Sequence, residues 1–89
     1  MKPSFDQVWE RIRSCEGKIF TQKRGGKFSY NLSGETLNLS RTNQRLSRSV
    51  FETAYERTPV DMPSRLTDLR APSYLFSILM DPRIRKKDW

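Results

Sequence analysis

Residues 18–41, with the sequence KIFTQKRGGKFSYNLSGETLNLSR, decide the fold expected for this chain. Apolar and polar residues alternate on either side of two turn signals, Gly25-Gly26 and Ser33-Gly34. Such pairs are typical of tight hairpin turns between antiparallel strands. The stretch therefore predicts a three-stranded antiparallel meander, with strands over about residues 18–24, 27–32 and 35–41.

Two-residue turns at both positions would give this sheet one apolar face, because directly opposed residues point to the same side. That face would carry Ile19, Phe28, Tyr30, Leu32, Leu37 and Leu39. The other face would carry no acid, and its members would be Lys18, Phe20, Gln22, Arg24, Lys27, Ser29, Asn31, Thr36, Asn38 and Ser40. We expect helices to pack on the apolar face and to leave the polar face open.

The first predicted helix precedes the sheet. Ser4 and Gln7 have the spacing of a capping box, and Gly17 suits a left-handed position after a helix. Four large apolar residues follow Ser4 at the spacing of a single helix face, namely Phe5, Val8, Trp9 and Ile12. Together these signals predict a helix over about residues 4–16.

Two further helices are expected after the sheet. Ser47 can cap a helix that ends before Pro59, since a residue before proline disfavours helical geometry. A short helix from Pro72 to about Met80 is apolar almost all round, which predicts that it is buried. Between these two helices, residues 59–72 are expected to form an extended connector.

The predicted order is α-β-β-β-α-α, which defines a small single α+β domain over residues 1–89. A chain of 89 residues suits one domain. The basic segment over about residues 83–89 is expected to be a flexible tail, because chain ends fray unless they are tied down.

The charge balance indicates the class of partner. Lys and Arg total 17 against 10 Asp and Glu, giving a net charge of +7 and a pI near 10.1. A positive excess of this size attracts polyanions, of which DNA and RNA are the commonest in a cell. We therefore expect a nucleic-acid partner, with DNA favoured over RNA.

Other features bear on cellular setting. Cys15 is the only cysteine, the first residues lack the apolar run of a signal peptide, and no apolar stretch reaches membrane-spanning length. These features predict no membrane partner and a cytoplasmic setting, in a bacterium or an infected host, or in association with the nucleoid.

The residue inventory argues against common enzyme classes. The chain has no histidine, which removes the commonest general base and the commonest metal ligand. One cysteine cannot form a structural zinc site, and Gly25-Gly26 lacks the pattern of a phosphate-binding loop. We therefore expect no metal, no cofactor and no catalytic residue.

Three stretches are candidates for nucleic-acid contact. The polar sheet face and its first turn supply Lys18, Phe20, Gln22, Lys23, Arg24, Lys27, Asn31 and Asn38. The acid-free segment before the second helix supplies Arg41, Asn43, Gln44, Arg45 and Arg48. The tail adds a secondary basic group of Arg83, Arg85, Lys86 and Lys87. Arginine and lysine would contact phosphates, the amides would contact base edges, and Phe20 would stack on a base.

Two alternatives remain open at this stage. One is a protein-binding inhibitor or adaptor, encoded for example by a phage or mobile element, whose positive surface occupies an acidic or nucleic-acid-binding site on its partner. The other is a ribonuclease without histidine, in which arginines and tyrosines such as Tyr30, Tyr55 and Tyr74 stabilise phosphate charge.

Overall fold

The computed structural model describes residues 2–89 and contains the helices and strands of one α+β domain. They are α1 (Phe5–Ser14), β1 (Phe20–Thr21), β2 (Lys27–Phe28), β3 (Tyr30–Ser33), β4 (Thr36–Leu39), β5 (Arg45–Ser47), α2 (Arg48–Glu56), α3 (Pro72–Leu79) and α4 (Pro82–Arg85), with a 3₁₀ turn at Pro63–Leu66. The predicted α+β class is confirmed. A three-stranded antiparallel meander is present, but it consists of β3, β4 and β5. Strands β1 and β2 form a separate two-stranded sheet, so the predicted membership of the meander is wrong.

The predicted helices form where their local signals place them. The Ser4 hydroxyl accepts a hydrogen bond from the backbone amide of Gln7 at 3.4 Å. The four apolar residues predicted to share one face of α1 are all buried. The Ser47 hydroxyl accepts from the Val50 amide at 3.3 Å, which fixes the start of α2. The third predicted helix is α3, and its buried residues include Leu75, Ser77, Ile78 and Leu79.

The three-stranded sheet is antiparallel, with β4 in the centre. Leu37 lies opposite Leu32 on β3 and opposite Leu46 on β5, and Tyr30 lies opposite Leu39. Strand β5 falls in the acid-free segment before the second helix, where no strand was predicted. These apolar residues join those of the helices in one core, and the Tyr30 hydroxyl donates a 2.6 Å hydrogen bond to the carbonyl oxygen of Ile12.

The turn between β3 and β4 lies one residue later than predicted. Its central residues are Gly34 and Glu35, because Ser33 pairs with Thr36, and Gly34 takes a positive φ of 61°. Moving a two-residue turn by one position shifts the register by two residues. An even shift keeps every side chain on its predicted face, so Tyr30, Leu37 and Leu39 are buried as expected.

The first hairpin contradicts the predicted register. Its turn spans more than two residues, because the backbone amide of Gln22 donates to the Gly26 carbonyl oxygen at 2.7 Å. Phe20 pairs with Phe28. The pairing of β1 with β2 is shifted by an odd number of residues from the predicted pairing. An odd shift turns every side chain of β1 to the opposite face of the hairpin. Phe20 is therefore fully buried and Ile19 is 57% exposed, so both of their predicted faces are wrong.

The C-terminal segment is packed, which differs from the expected flexible tail. Arg11 donates to the carbonyl oxygen of Ile84 at 2.8 Å and to the Asp88 carboxylate at 2.6 Å. The Trp89 indole donates to the carbonyl oxygen of Leu79 at 2.9 Å, and its ring meets Tyr55 edge-on. These partners tie the segment to α1, α2 and α3.

The outer edge of β3 is covered by the turn that follows α1. The Glu16 carboxylate accepts a 2.8 Å hydrogen bond from the Leu32 amide. The Gly17 amide donates to the carbonyl oxygen of Tyr30 at 2.9 Å. Backbone groups that an edge strand would otherwise leave unpaired are satisfied here within the chain.

The observed register of the first hairpin predicts opposite outcomes at adjacent positions. Phe20→Ala should lower the free energy of unfolding by about 3 kcal/mol or more, because it removes a fully buried ring. Ile19→Ala should change it by less than about 0.5 kcal/mol, because that side chain is exposed. Urea denaturation followed by circular dichroism measures both, and a larger loss at Ile19 would contradict this register.

The packed C-terminal segment gives a second prediction. Trp89→Ala should lower the free energy of unfolding by about 3 kcal/mol, since it removes a buried indole and its hydrogen bond. Lys87→Ala removes an exposed side chain from the same segment and serves as the control. Chemical denaturation of both variants checks this, and equal stabilities would mean that Trp89 does not anchor the segment.

Candidate nucleic-acid interface

The face of the three-stranded sheet that lies away from the core carries only polar side chains in its paired positions. Asn31, Asn38 and Arg45 lie opposite one another across β3, β4 and β5. Ser33, Thr36 and Ser47 form a parallel row beside them. Of the predicted polar face, Asn31, Thr36 and Asn38 lie on this face of the sheet, which gains Arg45 from the unforeseen strand β5.

This face forms the floor of a hollow of about 590 Å³, which we call the sheet groove. Its lining consists of Asn31, Ser33, Thr36, Asn38, Leu39, Thr42, Asn43, Gln44 and Arg45. No acidic side chain is among them. The groove brings together amides from the predicted sheet face and residues from the predicted basic segment, two stretches that were identified separately.

Residues 42–44 form a wall of the sheet groove, and Arg41 just before them contacts the first hairpin. The backbone amide of Gln44 donates to the Thr42 hydroxyl at 3.3 Å, and this hydrogen bond stabilises the turn of the segment. Arg41 donates to the carbonyl oxygen of Lys27 at 3.3 Å. Arg45 lines the groove and is exposed, and the exposed Arg41 directly precedes the lining residue Thr42 in the chain.

The other predicted residues of the first hairpin do not line the sheet groove. Lys18, Lys23 and Arg24 are exposed to solvent. Gln22 is half-buried, and its side-chain amide donates to the Ser73 hydroxyl at 3.3 Å. Gln22 therefore contacts α3 and does not line the sheet groove.

Phe20 and Arg48 contact other residues of the protein, whereas the sequence predicted that both would contact nucleic acid. Phe20 packs against Phe28 and Tyr30, and the Arg83 guanidinium lies 4.2 Å from its ring centroid. A ring covered in this way cannot stack on a base. Arg48 is half-buried, pairs with the Asp6 carboxylate and lies 5.2 Å from the ring centroid of Phe5.

The backbone amides at the start of α2 are partly occupied by contacts within the protein. Two of its first backbone amides already have partners, because Arg48 donates to the carbonyl oxygen of Glu35 and Val50 to the Ser47 hydroxyl. The exposed side chains of Arg41 and Arg45, which precede the helix, remain accessible to an anion.

The secondary basic group of the tail divides into two pairs. Arg83 donates to Asp81 and to the carbonyl oxygen of Ile19, and the Asp81 hydrogen bond raises its pKa. Arg85 bonds the carbonyl oxygen of Trp89. Lys86 and Lys87 are exposed, and neither forms an ion pair within residues 2–89.

The tyrosines considered for ribonuclease chemistry are engaged in the fold. Besides Tyr30, the Tyr55 hydroxyl donates to a backbone carbonyl, that of Pro3, at 2.5 Å. Burial raises the pKa of both phenols, which keeps them protonated. Tyr74 is half-buried, and its ring meets Phe28 edge-on.

Sequence reasoning missed Ser33 and Thr42 as groove-lining residues and left Thr36 out of the contact set. Alternation of side chains had placed Thr36 with Asn38 on the predicted polar face, but only Asn38 was carried into the predicted contact set. Within residues 2–89, no cluster of His, Cys, Asp or Glu has the composition of a metal site. In the same range no helix combines the length and hydropathy required to cross a bilayer.

Comparison of this chain with protein-family models, with curated proteins and with solved structures found no match.

Proposed function

We propose that this protein binds duplex nucleic acid, with DNA favoured over RNA, through the sheet groove and the arginines beside it. The observation that carries the proposal is the meeting of Asn31 and Asn38 with Asn43, Gln44 and Arg45 around one acid-free hollow. Amides and guanidinium groups together are the side chains that contact base edges and phosphates.

Charge supports this assignment. Arg41 and Arg45 are exposed, and neither forms an ion pair within the part of the chain that the structure describes. Arginines without an acidic partner can neutralise phosphates and release the counterions condensed on the duplex. The net charge of +7 adds long-range attraction to that local contact.

The absence of a stacking surface favours duplex over single-stranded ligands. Proteins that bind single strands usually stack unpaired bases on aromatic side chains. The sheet groove has no aromatic residue in its lining, and the ring of Phe20 lies in the core. Paired bases, whose faces are already stacked, require no such platform.

The Asn31–Asn38 pair supports DNA over RNA. Asn38 Nδ2 donates to Asn31 Oδ1 at 3.0 Å, which leaves Asn38 Oδ1 as an acceptor and Asn31 Nδ2 as a donor. An acceptor beside a donor complements the N6 and N7 groups of adenine in the DNA major groove. A-form RNA presents those groups in a deep, narrow groove that side chains do not reach.

Charge reversal beside the sheet groove tests the proposal. Arg41→Glu with Arg45→Glu should weaken binding to labelled duplex DNA by about tenfold or more and reduce the salt slope by roughly 0.9 per lost phosphate contact. Arg65→Glu with Arg70→Glu makes the same change in net charge at exposed positions outside the groove. We expect this control to weaken binding by less than about threefold at physiological salt, because distant charges are screened.

Fluorescence anisotropy across a salt titration makes the measurement, with duplex DNA, duplex RNA and single-stranded RNA as probes. Circular dichroism confirms that each variant is folded. Equal weakening by the two double variants would contradict the groove as the site and leave only generic charge attraction. Tighter binding to single-stranded RNA would contradict the duplex assignment.

A further inference from the structure

A second concave surface lies on the side of the molecule formed by the first hairpin, the 59–73 connector, α3 and α4. Three neighbouring hollows of about 540, 260 and 390 Å³ share lining residues along this side. Lys23 lines the first and second hollows, and Met80 and Pro82 line the second and third. We call this surface the amphipathic channel; it shares no lining residue with the sheet groove.

The floor of the amphipathic channel is apolar. Met62 is 37% exposed in the first hollow, and it is one of two large hydrophobic side chains exposed within residues 2–89. Phe76 and Met80, both half-buried, continue the floor in the second hollow. An apolar surface bordered by charged residues is typical of an interaction site, and methionine adapts to partners of different shape.

The border of the channel is positively charged. Lys23 and Arg24 lie at one end, with the Lys23 ammonium 5.9 Å from the ring centroid of Phe76. Lys86 and Lys87 lie at the other end. The only acid in the lining is Asp81, which already accepts hydrogen bonds from the backbone and side chain of Arg83. The uncompensated charge of the border therefore favours an acidic occupant.

The shape and the chemistry of the amphipathic channel together indicate which acidic partner fits it: a bilayer surface, a nucleic acid or a protein segment. A bilayer surface is engaged by apolar side chains that protrude, whereas these hollows are concave and receive side chains from a partner. The lining also offers hydrogen-bonding side chains, among them Gln22, Ser64 and Ser73. Nucleic acid, which is bound through its phosphates and base edges, would still leave the apolar surface of Met62, Phe76 and Met80 without an apolar partner. A protein segment that carries both carboxylates and apolar side chains matches the border and the floor at once.

We propose that the amphipathic channel docks a segment of a partner protein in which leucine or phenylalanine side chains are interspersed with aspartate or glutamate. The apolar side chains enter the hollows, and the carboxylates pair with the lysines of the border. The protein would then hold a duplex at the sheet groove and a protein at the channel through separate sets of residues.

The test uses the full chain and a fluorescein-labelled synthetic peptide that repeats Glu-Leu-Ser-Glu-Phe. We expect anisotropy to report binding at physiological salt. Met62→Ser with Met80→Ser should weaken binding by about tenfold or more, through lost apolar burial. Lys23→Glu with Lys87→Glu should weaken it to a similar extent, through lost charge pairing. Because Met80 also packs against the core, Met62→Ser alone provides a variant at an exposed position.

A further control tests whether the peptide binds the amphipathic channel and not the sheet groove. Arg41→Glu with Arg45→Glu should leave peptide binding within about twofold, and an excess of duplex DNA should not displace the peptide, because the two surfaces share no lining residue.

The proposal is overturned by any of three results. The first is equal binding of a peptide in which serine replaces leucine and phenylalanine, which would reduce the effect to charge. The second is no binding of the peptide at physiological salt, and tight binding to phosphatidylserine vesicles in that case would indicate a membrane surface as the occupant. The third is loss of peptide binding in the Arg41→Glu, Arg45→Glu variant alone.

Discussion

The register of β3, β4 and β5 is the constraint on which the rest of the structure depends. Leu37 must lie between Leu32 and Leu46 to fill the core, and this places Asn38 between Asn31 and Arg45 on the other face. Side chains alternate along a strand, so a slip of one residue would bury the amides and expose the leucines. The same pairing therefore stabilises the core and assembles the proposed interface.

Features set by neighbours in the sequence could be predicted. The Ser4 and Ser47 caps, the apolar stripe of α1 and the buried helix α3 depend on contacts within a few residues. The polar face of the sheet was also predictable, because an even error in register preserves the alternation of faces. Of the candidate interface, Asn31 and Asn38 follow from that alternation, and the segment from Arg41 to Arg45 follows from its composition.

What escaped prediction depends on turn length or on distant partners. A turn signal does not fix how many residues the turn contains, so the odd error in the first hairpin exchanged Phe20 and Ile19. Strand β5 has a single apolar residue, Leu46, too little for a periodic pattern. The tail is held by Arg11, whose partners lie more than seventy residues along the chain.

The covered edge of β3 has a consequence for colloidal behaviour. A molecule with a net charge of +7 is kept apart from its copies by repulsion, but that repulsion weakens as salt rises. Glu16 and Gly17 occupy backbone groups of Leu32 and Tyr30 that a strand from another copy would need for pairing. This barrier is steric and hydrogen-bonded, so at that edge it continues to oppose edge-to-edge aggregation in concentrated salt.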